Sequence, residues 1–193
     1  MKTISASLRG WLVEIFSIVL GVLLALGLNA WQEHQANQSL AHMALINVAN
    51  EIRSNMKILN QIHQNNQKVV EQMASHSKDQ KEEPARFIPG LQLKSTSWET
   101  LISTGVINFV DYKLVLKLSE LYSIQEVYQQ SGMMLTEAAM NMSAYATVLG
   151  KEVDDEMFQN QFEDYLRMML TIEEEILNHF PQVLSLLGNG DDE

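Results

Sequence analysis

From Trp11 to Trp31 the chain reads WLVEIFSIVLGVLLALGLNAW, a nearly unbroken apolar run of 21 residues. At 1.5 Å per residue, a helix of that length spans about 30 Å, the thickness of a bilayer's hydrocarbon core. The run predicts one transmembrane helix, residues 11–31, with the indoles of Trp11 and Trp31 as interfacial anchors at its two ends. Beyond it the pattern changes. Leu45, Val48, Ile52, Asn55, Leu59, Ile62, Asn66, Val69 and Met73 fall on steps of three and four, which describes an amphipathic helix with a narrow core seam. No proline or glycine lies between Trp31 and Ser75, so span and seam are expected to run on as one rod. Two of the nine seam positions, Asn55 and Asn66, are polar. Such residues either fix register and partner in a helical assembly or face the solvent edge of an imperfect seam, and the pattern leaves both readings open.

The segment SHSKDQKEEPARFIPGLQLKS, residues 75–95, breaks the helical pattern with charge, Pro84, Pro89 and Gly90. A long connection over 76–95 is expected, with Phe87, Ile88 and Leu91 laid on the bundle. Thr96-Ser97-Trp98-Glu99 has the spacing of a capping box with Thr96 as the cap, and Gly105 suits the end of the short helix it opens. Asp111 suits the N-cap of a further helix that buries Leu114, Leu118, Leu121 and Tyr122. Ser131-Gly132 is a candidate break. Met133 to Leu149, apolar on most sides, reads as a central helix closed by Gly150. Asp154 and Asp155 are expected to open the last helix, whose inner face carries Met157, Phe158, Phe162, Tyr165, Leu166, Met169, Ile172, Ile176 and Phe180, with Pro181 as its stop. The fold class is therefore all-α: one N-terminal transmembrane helix continuing into an antiparallel helical bundle over 32–187, then a mobile acidic tail, 188–193.

Within the span, Glu14, Ser17, Gly21, Ala25 and Asn29 recur every three or four residues, so a single face gathers small and polar side chains. Lipid supplies no hydrophobic drive between helices, and small faces of this sort let membrane helices approach closely and hydrogen-bond. The stripe is the predicted helix-packing surface, toward a second copy of the chain or another membrane protein. Glu14, one turn from the boundary, can equally snorkel to water. Lys2 and Arg9 precede the span and the next basic residue is Arg53, which by the positive-inside bias puts residues 1–10 in the cytoplasm and the rest outside the inner membrane, in the periplasm of a bacterial cell. A cleaved signal peptide ending near Ala25-Leu26-Gly27 is the competing reading. Against it, the apolar run passes that point and ends at a tryptophan.

Composition narrows the function. The chain holds 13 basic and 24 acidic residues. Setting aside Lys2, Arg9 and Glu14 leaves 11 against 23, a net of −12 on the soluble part. That excludes nucleic acid as a natural partner, whose phosphates need a basic surface, and disfavours electrostatic docking on anionic lipid. There is no cysteine, so there is no disulfide, thiolate metal site or thiol nucleophile. Eleven methionines against three prolines favour helix.

The run LVEIFSIVLGVLLALGLNAW, the EIRSN stretch at Glu51–Asn55 and SWETLISTGVINFVDYKLVLKLSELY over Ser97–Tyr122 together resemble a family of small single-span bacterial membrane proteins classed as a domain of unknown function. The likeness covers roughly residues 8–128. It implies topology and helical fold, and supplies no catalytic residues.

Candidate chemistry is sparse. The five histidines, His34, His42, His63, His76 and His179, form no zinc-binding spacing, and phosphate-binding and dinucleotide glycine motifs are absent. The acidic runs Asp154-Asp155-Glu156 and Glu173-Glu174-Glu175 lack the spaced ligands of a calcium loop and read as a solvated helix end and a solvated face. The tyrosines and methionines, at helical spacing, read as core. No enzyme, cofactor or metal is expected. The expected function is a membrane-anchored helical interaction protein, an accessory or self-associating subunit of an envelope complex. The alternative is an exported, sensor-like ligand-binding domain that signals through a partner, since about ten residues before the span leave no room for an output domain of its own.

Overall fold

The computed structural model describes residues 4–74, 86, 88, 93–149 and 156–188. Among them there are four α-helices and no strand. Helix α1 (Ile4–Ala74) is a single rod of 71 residues, about 105 Å long. A short helix α2 (Thr96–Ser103) leads through a 3-10 turn (Val106–Phe109) to α3 (Tyr112–Leu149), and α4 (Glu156–Gly188) closes the chain. The all-α class and the continuous first helix are as the apolar pattern predicts.

Cross-chain contacts set the topology. Asn65 and Asn66 hold the backbone at Arg86 and Ile88, Asn55 holds Lys94, and Glu51 holds Ser97, so the chain returns antiparallel to α1. At the end of that return the Phe109 ring lies 5.6 Å from that of His34. From there α3 runs parallel to α1. Helix α4 comes back antiparallel to both and packs on both. Three long helices thus form the bundle, and the fourth position, between α1 and α3, is occupied by residues 93–95 and α2.

The core lies on the α1 seam. Val48, Ile52 and Leu59 meet Leu101 of α2, Leu118, Leu121 and Tyr128 of α3, and Met169, Ile176 and Phe180 of α4. A smaller cluster of Val69, Val70, Leu135 and Leu166 closes the far end. From Gly10 to Leu40 almost every side chain of α1 is exposed, and the bundle begins at Ala41.

Several local expectations are corrected. The N-cap of α2 is Ser95 rather than Thr96, and its hydroxyl donates to Glu99 in place of the reciprocal backbone bonds of a capping box. Asp111 does cap α3, accepting from the amides of Lys113 and Leu114 at 3.0 and 3.1 Å. Ser131-Gly132 does not break α3. A mid-helix glycine costs about 1 kcal/mol against alanine, and here Leu135 beyond it is buried and the Ser131 carbonyl accepts from the Tyr165 hydroxyl. Met133, Met134 and Met140 are exposed while Leu135 is buried, so the first part of the expected central stretch buries one side only. Pro181 does not stop α4 either. A helix-interior proline costs about 3 kcal/mol, whereas burying Val183 and part of Leu184 and Leu187 returns more, at roughly 1.5–3 kcal/mol per fully buried side chain. The expected helix start at Asp154-Asp155, the loop residues Phe87 and Leu91, the side chains of Met157 and Phe158 on the expected inner face, and the tail from Asn189 lie outside the described residues.

Candidate functional site

The two faces of α1 carry different chemistry. At ~100° per residue, Glu14, Ser17, Gly21, Ala25 and Asn29 lie roughly opposite Ala41, Val48, Ile52 and Leu59, the residues buried in the bundle. All five stripe residues are exposed. A Cβ built on Gly21 would meet nothing within 4 Å, so among the described residues none packs on the stripe there. Past the span, the same outward face carries Leu40, Met43 and Ile46, large apolar side chains left exposed where the other large apolar residues of this part of α1 are buried or half-buried. Trp11 and Trp31 are likewise exposed at the two ends of the apolar segment.

The inward face carries a buried polar spine. Asn55 and Asn66, whose role the pattern left open, are both buried, and the solvent-edge reading is overturned. Each makes a two-point bond to returning backbone. Asn55 accepts from the Lys94 amide at 2.9 Å and donates to its carbonyl at 2.7 Å, and Asn66 does the same with Ile88 at 3.0 and 3.1 Å. An amide side chain alone offers both a donor and an acceptor at the spacing of a backbone peptide group. Eleven residues separate the two, three turns of helix, so both present the same face to the same returning segment.

Around Asn66 a carboxylate is buried. Glu173 is 0% exposed. It accepts from the Tyr128 hydroxyl at 2.6 Å and the Asn66 amide at 2.8 Å on one oxygen, and lies 2.9 Å from His63 Nδ1 on the other. Gln67 Nε2 sits 2.9 Å from His63 Nε2 and completes the set. Burial first, then the charge of Glu173, pushes the Tyr128 hydroxyl far above the ordinary phenol value. This corrects the reading of Glu173-Glu174-Glu175 as one solvated face, because Glu173 falls four residues after Met169 and three before Ile176, on the inner line of α4. That spacing was a usable signal, masked by the like charges beside it.

A second carboxylate repeats the arrangement nearer the membrane end. Glu51 accepts from the Tyr122 hydroxyl at 2.8 Å and from the Ser97 amide at 2.9 Å, and so pins the first turn of α2. The Tyr122 ring stacks on Trp98 at 5.3 Å, nearly parallel. Burial, then Glu51, holds the Tyr122 proton well above its ordinary pKa. Each carboxylate ties α1 or α4 to its neighbours, the arrangement of a clamp; Glu173 is closed off from solvent, whereas Glu51 also borders the open cleft between α1 and α2.

Helix α2 has an open cleft on each side, one of about 400 Å³ against α1, lined by Asn47, Ser54 and Thr100 among others, and one of about 580 Å³ against α3. Gln125, buried, lines the second. Because Asn55 Oδ1 is committed to the Lys94 amide, its nitrogen faces Gln125 Oε1 at 3.1 Å. The Gln125 amide nitrogen has no partner among the described residues.

No family model matches the chain, and no curated protein or solved structure matches it either.

Proposed function

We propose that this chain is a single-span inner-membrane protein that assembles laterally, with a second copy of itself or with another membrane subunit, through the outward face of α1. Lys2 and Arg9 before the span and the absence of any further basic residue until Arg53 support a cytoplasmic N-terminus and a periplasmic bundle. One observation carries the reading. The small and polar stripe of the span and the exposed Leu40, Met43 and Ile46 share one face of one continuous helix, and that face looks away from the chain's own bundle. Close helix approach in lipid needs small residues, and burial in water rewards apolar ones. The face changes its chemistry where the solvent changes. Two copies paired along it would carry their bundles on the outside, without collision.

The test uses the full chain in mild detergent. Met43→Cys, in a protein with no other cysteine, should give a disulfide-linked dimer under mild oxidation, and Gly21→Leu should abolish it. Equal monomer in both would overturn self-association. A second band of higher mass on lysine crosslinking in native membranes, lost with Gly21→Leu, would instead identify a partner subunit as the occupant.

A second reading, an exported ligand-binding domain, is favoured by the unpartnered Gln125 amide in the α2–α3 cleft. A thermal-shift screen of small metabolites that found no stabilised condition, with Gln125→Leu as the stabilising comparison, would remove that support.

A further inference from the structure

We infer that the corner between α2 and α3 is a second membrane contact, in which the exposed aromatic side chains of Phe109 and Tyr112 enter the lipid headgroup layer beside the exit of α1. The inference rests on the reading of Trp11–Trp31 as a membrane span.

Height above the bilayer follows from a contact. The Phe109 ring packs on His34, and His34 is three residues past Trp31, a rise of about 4.5 Å along the helix. Headgroup regions add roughly 5–7 Å to each side of the hydrocarbon core. The corner therefore sits at the level of the headgroups, not above them. At that level Phe109 is 38% and Tyr112 72% exposed. Tyrosine, with an apolar ring and a polar tip, is enriched at this depth for the reason that makes it costly in either pure phase.

The corner is also built to hold its shape. Gly105 takes a left-handed φ of 73° that a side chain would disfavour, and its carbonyl accepts from both the backbone and side-chain amides of Asn108. Val106, Ile107 and Val110 turn inward and pack against the main core cluster, which leaves Phe109 outside. Asp111, the acidic group of the corner, spends its carboxylate on the α3 N-cap, and Lys113 beside it is exposed. An apolar and aromatic corner with its acid engaged suits a zwitterionic surface, and needs none of the basic charge that the bundle lacks.

Lipid, rather than a second copy, is the occupant because of azimuth. His34 shares the face of α1 that holds Ala41 and Ile52, roughly opposite the stripe at ~100° per residue. A helix docked on the stripe would leave the corner uncovered, whereas the bilayer surface passes under it. The rod is then held at two points, the span and the corner, and the tilt of the bundle is fixed.

The experiment places single cysteines, labelled with an environment-sensitive fluorophore, in full-length protein reconstituted in phosphatidylcholine vesicles that carry headgroup-depth nitroxide lipid. Lys113→Cys reports the corner, Leu23→Cys the span and Asp164→Cys the far end of the bundle. The corner label should show blue-shifted emission and strong quenching, the far label neither. Adding Phe109→Ser and Tyr112→Ser should return the corner label to the behaviour of the far one, with the helical melt unchanged. A corner label that matches the far label while the Leu23 label is blue-shifted and protected overturns the inference and leaves the span intact. If the Leu23 label also reports water, the membrane reading itself fails.

Discussion

The buried carboxylate of Glu173 offers the sharpest test of the packing scheme, because a charge run on a solvated face and a buried hub predict opposite outcomes. Glu173→Ala deletes the acceptor for Tyr128, Asn66 and His63. Asn66 keeps the Ile88 carbonyl, but Gln67 holds His63 through Nε2, so the Tyr128 hydroxyl and the His63 Nδ1–H are both stranded. Each buried donor without a partner costs about 1–3 kcal/mol, and the space left by the four deleted heavy atoms in a closed core adds about 1–2 kcal/mol more. The expected loss is thus about 3 kcal/mol or more, a large share of the ~5–15 kcal/mol that holds a domain together. Glu173→Gln retains an acceptor for Tyr128 and Asn66 and gives up charge-assisted bonds, so it should cost about 1–2 kcal/mol. Combining Glu173→Ala with Tyr128→Phe removes the stranded hydroxyl, and the double variant should lose less than the sum of the singles by about 1–2 kcal/mol. Urea unfolding of the full chain in mild detergent, followed by helical circular dichroism, measures all four. A Glu173→Ala cost below about 1 kcal/mol, or strict additivity with Tyr128→Phe, would refute the buried hub.

Asn66→Asp should destabilise more than Asn66→Ala, by about 1 kcal/mol or more, since it sets a carboxylate against the Ile88 carbonyl and Glu173; limited proteolysis near Arg86 should accelerate in the same order. Pro181→Ala should raise the melting temperature, because exposed Pro181 lies inside α4 and alanine restores the missing backbone donor, worth up to about 3 kcal/mol; an unchanged melt would show that the helix is not continuous there. Tyr122 and Tyr128 have folded pKa values raised above the unfolded phenol value, so their contribution is complete below about pH 10 and is lost as pH rises past it, when the unfolded chain ionises and the folded one cannot. Wild type should therefore unfold between about pH 10 and 12 with a steeper loss of stability than the Tyr122→Phe, Tyr128→Phe double variant.

Hydrophobic periodicity made the long elements legible, because it depends only on which residues must leave water. The seam from Val48 to Val69 and the line Leu166, Met169, Ile176, Phe180 are buried as their spacing requires, with Leu45 and Met73 half-buried at the seam's ends. Breakers were the weaker signal. Gly132 and Pro181 carry penalties of about 1 and 3 kcal/mol, and tertiary burial on both sides of each outweighs them. Such sums are invisible while neighbours are unknown. The polar spine was hidden for the same reason. Asn55 and Asn66 stood out on the seam, but their partners are backbone groups 39 and 22 residues away, and Glu51 and Glu173 take theirs from α2 and α3. A polar residue on an inner line is readable from one helix, whereas what satisfies it is a property of the fold.

The spine and the stripe have a joint consequence, because α1 is one helix. Interlocking bonds from Asn55, Asn66 and Glu51 fix the rotation of the bundle about α1, since a turn of one residue would carry every acceptor ~100° away from its donor. Continuity from Ile4 to Ala74 transmits that rotation into the membrane. The bundle therefore stands at a set azimuth to the stripe, on the opposite side. A flexible linker after Trp31 would let the span associate without orienting anything above it. On the proposed function, a rigid helix locked to its bundle by buried polar groups would make lateral association of the span and the placement of the bundle a single event. Apolar seam residues alone would hold the helices together as tightly, but they tolerate sliding and rotation. Directional bonds do not, and this accounts for carboxylates and amides at places where leucine would pack as well.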